Sequence, residues 1–184
     1  MNTIASFVTK ALAPLLVSIF VLQGCSKSNA DLLKFNTHNY AMTCYGGASR
    51  CSLIYDGTSS DRSTTEPAPD KLPSDLNKVP GVTSFAGSAF GKPMIMKWIA
   101  RDGTQLSHTV DLNKEIPDHR IAYDHPERVY AEQPFHGDPT IVVEYDDRTV
   151  NVYLAATLQV IPVDPANRSV EYVETFKRVY TRTL

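Results

Sequence analysis

The sequence lacks a charge of one sign. Its 18 Lys and Arg stand against 20 Asp and Glu, for a net charge of -2. No positive field gathers phosphates, which excludes nucleic acid as a main partner. The signatures of several large enzyme classes are missing too. There is no Gly-x-x-x-x-Gly-Lys phosphate cradle and no His-Glu-x-x-His pair. Ala86-Gly87-Ser88-Ala89-Phe90-Gly91 has the wrong spacing for a nucleophile elbow, so Ser88 reads as a turn residue. Cysteine is scarce, at three. Cys44 and Cys51 are separated by six residues rather than the two of a redox motif, so a catalytic pair is excluded. No internal repeat is evident. The apolar run Ala11 to Leu22 is only 12 residues, short of the roughly 20 that a membrane-crossing helix needs.

What is present fits one globular domain, with 42% apolar and 21% charged residues. The first residues have the layout of a signal peptide: Lys10 without a nearby acid, then the apolar run. That run ends in Leu22-Gln23-Gly24-Cys25, which resembles the lipobox of bacterial lipoproteins. The resemblance implies removal of residues 1–24 and lipidation of Cys25, whose acyl chains would hold the protein on a membrane at about 0.8 kcal/mol per buried methylene. Ser26, rather than aspartate, after the lipidated cysteine implies sorting to the outer membrane, with the domain facing the periplasm. Residues 25–31 then form a tether, and 32–184 a single β-rich domain. In an oxidising compartment Cys44 and Cys51 pair. Because Gly46-Gly47 lies between them, the simplest arrangement is a disulfide across a hairpin formed by 34–45 and 52–56.

Strands dominate the remainder. An Asp-Gly reversal at Asp102-Gly103 joins 93–100 to 105–112, and Asp146-Asp147-Arg148 joins 140–145 to 149–154, whose second strand extends toward Val163. Residues 169–182 fit a helical spacing as well, but their β-branched and aromatic content favours a strand. Residues 57–81 carry four prolines among polar residues and read as a long surface loop. Trp98, the only tryptophan, reads as a core anchor. The expected fold is mainly β, an antiparallel sandwich or distorted barrel of about seven strands with little helix.

The one stretch rich in chemistry is 116–135. His119, His125 and His136 with Asp118, Asp124 and Asp138 match no metal-ligand template, and four prolines interrupt them, so they read as solvated loop residues and no metal or other cofactor is expected. Arg120, Tyr123, Arg128 and Tyr130 are of the types that dominate protein-interface hot spots. Asp118, His119, Arg120, Tyr123, Asp124, His125, Arg128 and Tyr130 are therefore the candidate partner-binding residues, with 57–81 a second candidate patch.

Lys97-Trp98-Ile99-Ala100-Arg101-Asp102-Gly103, Thr109-Val110-Asp111-Leu112 and the 141–154 hairpin, together with the leader, resemble small Gram-negative lipoproteins linked to type VI secretion lipase effectors. The resemblance implies an immunity protein: a membrane-anchored, non-enzymatic inhibitor that binds a secreted phospholipase. The alternatives are a structural or assembly lipoprotein of a secretion apparatus and a lipoprotein lysozyme inhibitor, although the Ser-Gly-x-x-Tyr segment of the latter group is absent.

Overall fold

The computed structural model describes residues 28–62, 64–81, 90–164, 166 and 169–184. The leader, Cys25 and Ser88 lie outside them. Among the described residues, eight strands form two four-stranded sheets: β1 (Asn39–Tyr45), β6 (Thr140–Asp146), β7 (Thr149–Val160) and β8 (Glu171–Thr183) in that order make one, and β3 (Thr58–Arg62), β2 (Ser49–Tyr55), β4 (Met94–Ile99) and β5 (Gln105–Val110) make the other. The sole α-helix among the described residues, α1, is the single turn Leu112–Glu115. Period-two alternation aims Ile141, Val143 and Tyr145 of β6 and Val150, Val152 and Leu154 of β7 at Leu53 of β2 and at Met94, Met96 and Trp98 of β4, all nearly inaccessible to solvent. Contacts between the sheets run strand for strand. Tyr40 of β1 meets Ser60 of β3, Tyr145 of β6 donates to the Ser52 carbonyl of β2, and Tyr180 of β8 meets His108 of β5.

The sandwich, the low helix content, the strand at the C-terminus, the buried Trp98 and the hairpins at Asp102-Gly103 and Asp146-Asp147-Arg148 agree with the sequence reading, with β7 ending at Val160. Three features differ. First, the sheet that contains β1 is mixed, because β1 runs parallel to β6, Asn39 opposite Thr140 and Tyr45 opposite Asp146. Strands about a hundred residues apart leave no local trace of such a pairing. Second, β1 and β2 are no hairpin: the Gly46-Gly47 turn carries the chain from one sheet to the other, and the Cys44–Cys51 disulfide joins the sheets there. Both glycines are required. Each has positive φ, and a Cβ on Gly47 would come within 3.0 Å of the Arg101 side chain, while one on Gly46 would overlap Asp146.

Third, 57–81 is not simply a loop. Asp56 and Gly57, with φ of 47° and 81°, form a two-residue turn that returns the chain as β3 along β2. The chain then crosses the Gly46-Gly47 turn, with Ala68 N donating to Ala48 O, Gly47 N to Ala68 O and Gly46 N to Pro69 O. It continues as a strap over the outer face of the β1-β6-β7-β8 sheet. Val142 and Glu144 are therefore buried on the face of β6 that alternation points away from the core. Here a polar segment is docked by hydrogen bonds rather than by apolar area.

Candidate functional site

Two features follow from the unequal lengths of the strands. β7 has 12 residues and β6 only seven, so the far half of β7 loses its β6 neighbour beyond Ala155. Residues 128–136 take that place. Tyr130 N donates to Gln159 O, Gln159 N to Pro134 O, His136 N to Thr157 O, and Ile161 N to Arg128 O, at 2.7 to 2.9 Å. Upstream, 119–121 pairs with 33–35 through Phe35 N to His119 O and Ile121 N to Leu33 O. The 116–135 stretch is thus fixed by backbone bonds at both ends. Ile116, Ile121 and Val129 anchor it in the core.

Between 115–122 and the inner side of β8 lies a groove of about 370 Å³. Its floor is apolar, from Ile116, Ile121, Leu154 and Val179. Glu115 and Asp118 supply acid at its walls, and Arg120 and Lys177 supply base. Arg120 is placed by its backbone bridge to Lys34 and is about two-thirds buried. Its guanidinium reaches Asp31 at only 3.9 Å, and its buried Nε makes no hydrogen bond to any described residue. A buried donor left unmatched costs about 1 to 3 kcal/mol.

The eight candidate binding residues do not form one surface. Asp118 and Arg120 line the groove. His119, at φ 48°, turns aside, with its ring 4.7 Å from that of Phe90 and its Nε2 3.3 Å from Asn113 Oδ1. Tyr123 packs edge-on against His125, which lies 3.4 Å from Glu127, and Asp124 is exposed. Arg128 is occupied structurally, by the Ile161 carbonyl and the Glu171 carboxylate at 3.1 Å each. The Tyr130 hydroxyl is held above its ordinary pKa by hydrogen bonding to Glu132. Among the described residues no group of three His, Cys, Asp or Glu side chains converges as metal ligands would.

Sequence reasoning missed two polar clusters. Under the strap, Glu144 accepts from Lys71 Nζ at 2.6 Å, Asn151 Nδ2 at 3.0 Å and Tyr153 Oη at 3.1 Å, and Lys71 lies 5.7 Å from the ring centres of both Tyr45 and Tyr153. Burial alone would lower the Lys71 pKa, but the hydrogen bond and charge of Glu144 outweigh it and raise the value. Burial, reinforced by Glu144, raises that of Asp146. The second cluster lies between the sheets, where His38 Nε2 is 2.9 Å from Tyr55 Oη and Phe35 and Phe90 pack around the imidazole. Burial pushes the His38 pKa down to about 4 and the Tyr55 pKa above its ordinary value. An acid within the apolar run of β6 is the only local sign of the first cluster; His38 carries none.

The architecture is an eight-stranded mixed β-sandwich with a polar strap. No protein-family model, curated protein or solved structure matches the chain.

Proposed function

We propose that this protein is an envelope lipoprotein, anchored through Cys25, that acts as an immunity protein by binding and inhibiting a type VI secretion phospholipase. The observation that carries the reading is the groove beside β8, where an apolar floor is walled by Glu115, Asp118, Arg120 and Lys177, with the 116–135 segment fixed at both ends. A rigid recess with an anchoring arginine suits a protein inhibitor, because little conformational freedom is lost on binding. A tether would add to this by concentrating the inhibitor at the surface where a phospholipase works.

The test uses a Cys25→Ser form of the chain to recover partners from envelope extract, followed by a phospholipase assay on what co-purifies. Recovery of a lipase that is silenced by an equimolar amount of the chain, with Arg120→Glu weakening the inhibition at least tenfold, is the expected result. Recovery of secretion-assembly components without any lipase would overturn this reading in favour of the structural one.

A further inference from the structure

The strand β8 is 13 residues long and pairs on one side only, with β7. Its other side makes no backbone hydrogen bond to any described residue. An edge of this length is a template for another strand, and folded chains blunt or cover such edges. Here a bulge at Val179, the residue skipped between the Tyr180–Val152 and Arg178–Tyr153 pairs, kinks the C-terminal part. The regular part, up to Arg178, carries no proline and no glycine that would interrupt pairing with another strand.

The side chains of that part are self-complementary. Residues 172–180 read Tyr-Val-Glu-Thr-Phe-Lys-Arg-Val-Tyr, nearly a palindrome about Phe176 with acid on one arm and base on the other. In an antiparallel pair opposed residues share a face of the sheet, so self-pairing about a two-fold axis normal to the sheet opposes residues of equal parity. Centring on Phe176 puts Glu174 opposite Arg178 twice, Thr175 opposite Lys177 twice, and Phe176 opposite itself. Glu174, Phe176 and Arg178 lie opposite Thr157, Ala155 and Tyr153 of β7, on the outer face, so both charge pairs meet on one side. Moving the centre to Lys177 sets two ammonium groups against each other. Moving it to Thr175 leaves Glu174 facing Phe176. Opposite charges directly across a strand pair stabilise it, and like charges destabilise it.

We propose that β8 pairs with β8 of a second copy of this chain, antiparallel about Phe176, making one continuous eight-stranded sheet. Such a pairing uses the open edge of both copies and therefore closes as a dimer. The bulge at Val179 confines the regular ladder to 174–178. Because the axis is normal to the sheet, the two grooves beside β8 open on the same side of the dimer.

The test uses the full chain in its own envelope, with two differently tagged copies co-expressed. Phe176→Cys in both copies is expected to give an oxidative covalent dimer at least ten times more abundant than Val163→Cys, an exposed control outside the strand. Independently, Arg178→Glu in both copies is expected to lower co-recovery of the tagged copies at least fivefold, and adding Glu174→Arg to that variant to restore it. Both positions are exposed, so folding is preserved. Co-recovery absent from the unaltered chain, or indifferent to both charge variants, overturns the proposal, as does a Phe176→Cys dimer no more abundant than the Val163→Cys control. None of these outcomes depends on a lipase.

Discussion

The two sides of the sandwich are built differently. On the side of β1 and β3 the sheets are joined by the Gly46-Gly47 crossing, by the Cys44–Cys51 disulfide, and by backbone bonds to the strap, with Gly46 N donating to Pro69 O, Gly47 N to Ala68 O and Arg50 N to Thr64 O. On the side of β5 and β8 the sheets meet through His108 with Tyr180, 2.5 Å apart and stacked, and through Arg148 with Asp102 and Thr104 just before β5, and the outer edge of β8 pairs with no described residue. One side is stapled and the other open. The groove and the self-complementary strand both lie on the open side: the stapled side holds the geometry, and although β1 and β3 are edge strands too, at seven and five residues they offer far less edge than the 13 of β8.

Changes to the scaffold should therefore cost far more than changes at the open side. The largest effect is expected from Lys71→Met, which strips the buried Glu144 of its cation. Breaking a buried pair from one side costs about 3 kcal/mol or more, measured by urea denaturation of the variant against the parent chain. A loss below about 1 kcal/mol would mean that Asn151 and Tyr153 alone satisfy the carboxylate.

Next in size is a pH effect. Folded His38 titrates at about 4 against an ordinary 6.5, driven first by burial, with Asp138 and Asp56 opposing the shift and His119 adding to it. The unfolded chain binds the proton more tightly. His38 thus contributes stability that is complete above pH 6.5 and is lost as the pH falls toward 4. Between pH 7 and 4 the parent chain should lose about 3 kcal/mol more than His38→Gln. Equal pH slopes for the two proteins would refute the assignment.

Reducing the disulfide opens a short loop, with a sequence separation of seven. The expected cost is about 2 to 3 kcal/mol, read as a lower thermal midpoint with reductant or in Cys44→Ser with Cys51→Ser. The smallest effect belongs to the open side, where Tyr180→Phe removes one half-exposed hydrogen bond and should cost about 1 kcal/mol or less. If Tyr180→Phe costs more than losing the disulfide, the contrast between the two sides is wrong.

How far the sequence revealed this contrast depends on how local each feature is. The turns at Asp102-Gly103 and Asp147-Arg148 stand between alternating runs, so the β4-β5 and β6-β7 hairpins were legible. Asp56-Gly57 is a turn of the same kind, yet the polar strand after it and the prolines beyond it hid β3. Gly46-Gly47 reads as a reversal, and it is one, but glycines that turn a hairpin and glycines that switch sheets look alike in one dimension. The groove was half legible. Asp118 and Arg120 announce themselves in a loop of binding-type residues, whereas Lys177 reaches it only because β8 packs beside that loop. Lys71 and Glu144, 73 residues apart, meet only once the strap has crossed the sheet.

The most direct test of the division between scaffold and interaction side is photocrosslinking in intact envelopes, with a benzophenone amino acid placed either at Lys177 beside the groove or at Asp61 on β3. The account predicts discrete protein adducts from position 177 and at most background from position 61. Equal labelling from both positions, or adducts from position 61 alone, would contradict it.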